Sequence, residues 1–104
     1  MLVNTICNGE DLRRNMFEDR REYFSYYGYD ALFNYYDSFE DPIEFDCIAI
    51  CCDWTEEGEE YIRENYSNID DISNAENIDK LVDALNLYTY AKELANGNIL
   101  YMDF

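Results

Sequence analysis

The segment IEFDCIAICC, residues 43–52, constrains the fold more than any other part of this chain. Its first half alternates, with Ile43, Phe45 and Cys47 on one side and Glu44 and Asp46 on the other, the period of a half-buried strand. From Cys47 to Cys52 both sides are apolar. A strand of that kind needs cover on both faces, so 43–52 is expected to lie centrally in a sheet. The remaining elements must then supply its neighbours and its cover.

Three strand partners and about four helices follow from the patterning. Residues 2–7 (LVNTIC) read as a short edge strand or a segment leaning on the core. Residues 11–24 read as a helix, with Leu12, Met16, Tyr23 and Phe24 near helical spacing. Ser25 is the expected N-cap of a second helix over about 27–38, whose apolar stripe is Leu32, Tyr35, Tyr36 and Phe39. Pro42 closes that stretch by biasing the residue before it away from the helical region. Asp53 or Thr55 is expected to cap a short acidic helix at 56–65, anchored by Tyr61 and Ile62. Residues 67–75 are turn-like, with Ile69 and Ile72 tacking them down. A helix at 76–85 carries Ile78, Leu81, Val82 and Leu85 at i, i+3, i+4, i+7.

Strand-favouring residues at 87–94 and 99–104 flank Asn96-Gly97, a strong hairpin signal. A continuous helix from 76 to 94 competes with that hairpin, because Ala91, Lys92, Glu93 and Leu94 favour helix. The expected fold is a single α+β domain over 1–104: a small mixed or antiparallel sheet of about three strands, one central plus the C-terminal hairpin, packed by about four helices.

Charge decides what kind of partner such a domain can have. Twenty-four acidic residues oppose seven basic ones, for a net charge of −17 with no histidine. A folded monomer of this length exposes roughly 6,100 Å², or about 360 Å² per net charge. Such a surface repels nucleic acid and anionic bilayers and attracts basic partners. Apolar residues still make up 48%, eleven tyrosines included, which argues against disorder. No stretch approaches the roughly 20 apolar residues that span a bilayer. The opening MLVNTICNGEDLRR lacks the basic leader and apolar run of a signal peptide.

The imbalance is local. Residues 1–22 hold five acids against Arg13, Arg14, Arg20 and Arg21, whereas 23–104 hold nineteen against Arg63, Lys80 and Lys92. On one helix, Asp53, Glu56, Glu57, Glu60 and Glu64 would share a face, rising about 6 Å per i, i+4 step. That spacing is comparable to successive phosphates along a DNA strand. Asp37, Glu40, Asp41, Glu44 and Asp46 form a second cluster, and Asp70, Asp71, Glu76, Asp79 and Asp83 a third. B-DNA carries about one charge per 110 Å² of a 20 Å cylinder, about threefold denser than this protein's average. Only a local ridge can therefore match it. The candidate partner-binding residues are Asp53, Glu56, Glu57, Glu60, Tyr61, Glu64, Glu40, Asp41, Glu44 and Asp46, with tyrosine as the less charge-dependent anchor.

Catalytic chemistry finds little purchase. There is no histidine base, no Gly-rich nucleotide loop and no basic stripe. Cys7, Cys47, Cys51 and Cys52 read as reduced core thiols, and burial with acids nearby disfavours the thiolate at Cys51 and Cys52. No Cys-x-x-Cys pair suits zinc, and the carboxylate pairs Glu44/Asp46 and Asp70/Asp71 lack the spacing of a calcium loop. No catalytic residue, metal or cofactor is expected.

The run FSYYGYDALFNYYDSFEDPIEFDCIAICCDWTE, residues 24–56, resembles one found in small acidic proteins of bacteriophages and mobile elements. The closing NGNILYMDF, 96–104, resembles their final hairpin strand. In size and charge the chain is also similar to phage inhibitors of bacterial defence, the anti-CRISPR and antirestriction proteins that imitate DNA. That resemblance implies blockage of a PAM-reading or DNA-contacting cleft in the cytoplasm of a bacterial host. It assigns no individual contact, and the nearly neutral first helix departs from the simplest mimic. The expectation is a non-enzymatic inhibitor of a basic, nucleic-acid-binding host protein. It would bind neither nucleic acid nor membrane directly. The alternative is an acidic adaptor or regulator whose partner does not bind nucleic acid.

Overall fold

The computed structural model describes residues 6–104, in two compact units, Met1–Asp53 and Trp54–Phe104. The edge strand expected at 2–7 lies mostly outside the described residues, and Ile6 and Cys7 are not in a strand.

In the first unit, Asn8 caps α1 (Gly9–Asn15), its Oδ1 accepting the Asp11 N–H at 2.8 Å. The helix expected to run to residue 24 stops at Met16, which turns extended. A single 3-10 turn, Glu18–Arg20, follows. Leu12, Met16 and Phe24 are buried, but Tyr23 is half exposed and outside the core. Helix α2 (Tyr26–Asp37) starts at its expected cap, with Ser25 accepting the Gly28 N–H at 3.1 Å. The start of α1 packs directly on α2: a Cβ on Gly9 would lie 2.7 Å from the Asp30 backbone. Only a residue without a side chain permits that approach.

The expected central strand at 43–52 does not form: Ile43 makes an isolated bridge, residues 44–46 are irregular, and 47–52 belong to a helix, α3 (Cys47–Asp53). Asp46 explains the change, because its carboxylate accepts the Ala49 N–H at 3.1 Å and so caps a helix. Cys47 and Ile50, three residues apart, are buried, while Ile48 and Cys52 face solvent. A short run apolar at every position satisfies both periods, and the cap arbitrates. Cys52 here and Cys7 ahead of α1 are exposed, so neither is the core thiol expected.

The second unit holds the sheet. Its strands are β1 (Trp54–Glu57), β2 (Ala91–Glu93) and β3 (Ile99–Met102), antiparallel in the order β1-β3-β2. The central strand is thus the last one in sequence. Ile99, Leu100 and Tyr101 are buried in succession, so both faces of β3 are covered. Trp54 pairs with Met102 across the sheet, and Ala91 with Tyr101. The hairpin turns at Gly97, whose φ of 88° suits glycine.

Three helices pack against this sheet's unit: α4 (Glu59–Asn65), α5 (Asp70–Ser73) and α6 (Ile78–Leu85). The acidic helix expected at 56–65 begins only after Gly58, because Glu56 and Glu57 extend β1. Asn77 caps α6 through the Lys80 N–H at 2.9 Å. Ile62, Ile72, Leu81 and Leu85 meet Ala91, Ile99 and Tyr101 in one core. The continuous helix to residue 94 is not formed. Asn86 ends α6 and holds both the N–H and the C=O of Ala91 at 3.0 Å. Its amide takes the place of a further strand residue on the outer edge of β2. The protein is therefore α+β with a three-stranded antiparallel sheet and six α-helices among the described residues.

Candidate functional site

The expected row of carboxylates from Asp53 to Glu64 is not a single helical ridge. Asp53 ends α3 in the first unit, whereas the other members belong to the second. Glu56 and Glu57 are successive strand residues and point to opposite sides of the sheet. Glu56 is also engaged, accepting from the amides of Asn98 at 3.0 Å and Asn96 at 3.3 Å. Its carboxylate ties β1 to the hairpin turn. Glu60 and Glu64 do remain one turn apart on α4, with Tyr61 beside them, and all three are exposed. Tyr61 is therefore no core anchor, and Ile62 carries that role.

The second expected cluster lies in the first unit. Glu40, Asp41 and Glu44 are exposed in the segment between α2 and α3. Asp46 is exposed too, but its carboxylate is spent on capping α3. The four arginines are tied up locally: Arg13 pairs with Glu22 at 2.8 Å and Arg14 with Glu10 at 2.9 Å. Arg20 lies over the Tyr23 ring at 5.5 Å, and Arg21 donates to the Arg14 carbonyl.

The structure assembles a different acidic face. α4 neighbours α5, and α5 neighbours α6, so the three form one layer. Their apolar residues point to the core, which leaves Glu60, Glu64, Asp70, Asp71, Glu76, Asp79 and Asp83 exposed. None of these seven is paired with a lysine or arginine among the described residues. Arg63 does not screen them. Its Nη1 donates to the carbonyls of Ala75 at 2.7 Å and Ser73 at 3.3 Å, and its Nη2 pairs with Glu59. Lys80 is the exposed cation of the layer. Sequence spacing identified the Asp70–Asp83 cluster but did not join it to Glu60 and Glu64. That junction depends on α5, a four-residue helix whose packing no periodicity reveals.

Between α5 and α6 runs a shallow groove of about 520 Å³, lined by Asp71, Ala75, Glu76, Lys80, Ala84 and Leu87 among others. Tyr88 stands at its edge and donates to Asp71 Oδ2 at 3.5 Å. Phe104 stacks between Tyr66 and Tyr88, with ring centroids 4.6 and 5.7 Å away. The first unit has a pocket of about 390 Å³ walled by Phe24, Tyr26 and Tyr29 and bordered by the Arg13–Glu22 pair.

The cysteines are free. Cys47 Sγ accepts the Phe17 N–H at 3.5 Å. Burial pushes the Cys51 thiol up, against the Arg20 guanidinium, which alone would draw it down. Among the described residues no group of three or more metal-ligating side chains is placed to hold a metal ion. Nor is any helix among them long and apolar enough to cross a membrane. No protein-family model, no curated protein and no solved structure matches the chain.

Proposed function

We propose that the chain is a non-enzymatic inhibitor that binds a DNA-interacting host protein and competes there with nucleic acid, as anti-CRISPR and antirestriction proteins of phages and mobile elements do. One observation carries this reading: the α4–α6 layer presents seven exposed carboxylates with no lysine or arginine partner among the described residues, while Arg63 is consumed by internal carbonyls. Such a face steers a basic partner over distances near the Debye length, and its contribution falls with salt. Tyr61, exposed beside Glu60 and Glu64, is the anchor that charge screening does not remove.

Capture from bacterial lysate tests it. The expected catch is a nucleic-acid-binding protein that added DNA displaces. Replacing Glu60, Glu64, Asp79 and Asp83 by their amides is expected to slow association about tenfold or more at low salt. A partner that DNA leaves in place, or binding indifferent to salt and to these substitutions, refutes the competition reading.

A second reading, an acidic adaptor whose partner does not bind nucleic acid, is favoured by one observation. The row from Asp53 to Glu64 is interrupted by β1, so it does not follow a phosphate track along one helix. The same capture decides between the two.

A further inference from the structure

We infer that the groove between α5 and α6 seats an arginine side chain of the partner, its methylene stem along Ala75, Ala84 and Leu87 and its guanidinium between Asp71 and Glu76. The inference deepens the reading of the partner as basic and rests on it. The groove is more than a group of acids. Its lining sets Ala75, Ala84 and Leu87 beside the carboxylates, and Leu87 is 74% exposed, the most exposed of the large hydrophobic residues among those described. Tyr88 and Phe104, each nearly half exposed, continue that apolar surface beyond Asp71. A leucine and two stacked rings left in water beside carboxylates match an amphipathic cation, whose stem wants apolar contact while its head wants charge.

Arginine fits better than lysine. Two carboxylates in the lining, Asp71 and Glu76, suit a planar fork of donors better than the point charge of an ammonium. Lys80, on the same rim, works against a cationic guest and so gives the proposal a signature. Its removal must strengthen binding, whereas removal of Asp71 or Leu87 must weaken it.

The test is a titration of the isotope-labelled full chain with a short peptide of alternating arginine and glycine, followed by amide chemical shifts. Its citrulline and lysine counterparts serve as the uncharged and the non-planar comparisons. Saturable shifts are expected at Asp71–Glu76 and Ala84–Tyr88. Affinity should fall about fivefold in Asp71→Asn and in Leu87→Ala, and rise about twofold in Lys80→Ala. Leu87→Ala alters an exposed side chain and keeps the test independent of folding. Shifts spread over other acidic surfaces, with Leu87→Ala binding normally, overturn the groove and leave the basic-partner reading standing. Equal affinity for the lysine peptide overturns the choice of arginine. Equal binding of the citrulline peptide, or no binding of any peptide, overturns both the groove and the reading beneath it.

Discussion

Replacing Gly9 by alanine tests the packing of the first unit, and the sign of the effect carries the test. A Cβ there lies 2.7 Å from both Cα and N of Asp30 and 2.9 Å from the Tyr29 carbonyl carbon. Carbon atoms rest at about 3.5–4.0 Å, so α1 must withdraw by roughly 1 Å. The obstacle is helix backbone, which cannot rotate aside as a side chain would. Overpacking of this kind costs about 1–3 kcal/mol. Against it stands the usual gain of alanine over glycine in a helix, about 0.4–1 kcal/mol. The net expectation is a loss of about 1–2 kcal/mol, or a fall in Tm of roughly 5–15 °C. Gly58→Ala is the control, because its nearest neighbour is the Asn98 side chain at 3.9 Å and the position is open. Gly58 is the N-cap of α4, where glycine is preferred to alanine, and the entropy gain of alanine offsets that loss, so the change is expected to stay below about 1 kcal/mol. Urea denaturation followed by circular dichroism measures both. A Gly9→Ala protein as stable as the parent, or more stable, would show that α1 and α2 do not approach as described.

Asn86→Leu removes the amide that serves Ala91 N–H and C=O together. A loss of about 1–3 kcal/mol is expected in urea, with faster amide exchange at Ala91, because a partly buried backbone pair is left without partners. Tyr29 provides a pH dependence. Burial raises its hydroxyl from 10.0 to about 12, and the O–H donates to the Arg21 carbonyl at 2.9 Å. Its folded value exceeds its unfolded one, so this contribution is complete below pH 10 and is lost as pH rises towards 12. Tyr29→Phe should be less stable than the parent at neutral pH, and the gap should narrow through that window. Parallel stability–pH curves would contradict the assignment. Arg63→Ala should destabilise the second unit by about 1–3 kcal/mol, since Ala75 and Ser73 lose a charged donor. Arg63→Lys should recover only part, since one ammonium cannot reproduce the fork.

Where a local signal had one meaning, the fold was legible in the residues. Ser25 and the apolar spacing of Ile78, Leu81, Val82 and Leu85 located α2 and α6, and Asn96-Gly97 located the hairpin. The failures share one cause. In Cys47–Cys52 every position is apolar, so period carries no information, and Asp46 decides for helix through a bond visible only in three dimensions. In Thr55–Glu57 the acidic composition suggested helix, but pairing with Ile99–Tyr101 places these residues in a strand. Tertiary pairing overrides a weak propensity there. That one error also misdirected the candidate site, because the helical ridge was built across β1. Glu60 and Glu64 are exposed, as an acidic helix implies, but Tyr61, expected with Ile62 to anchor that helix, is exposed as well, and the neighbouring acids Asp70 to Asp83 depend on the packing of α5.

The placement of Arg63 leaves the carboxylates of α4 and α6 to repel one another. Asp79 and Asp83 on α6, like Glu60 and Glu64 on α4, stand at i, i+4, where like charges oppose each other by about 0.2–0.5 kcal/mol per pair. A cation placed between them would remove that cost, and Arg63 is on the right helix to do so. It is turned instead to Glu59 and to two carbonyls of the α5–α6 connection. In the first unit Arg13 and Arg14 are likewise held by Glu10, Asp11 and Glu22. Cations are thus used where they fix the chain, and the outward carboxylates keep their mutual repulsion. A basic surface brought against α4–α6 relieves that repulsion on contact. Raising salt relieves it without a partner, so the free protein should become more stable as ionic strength rises.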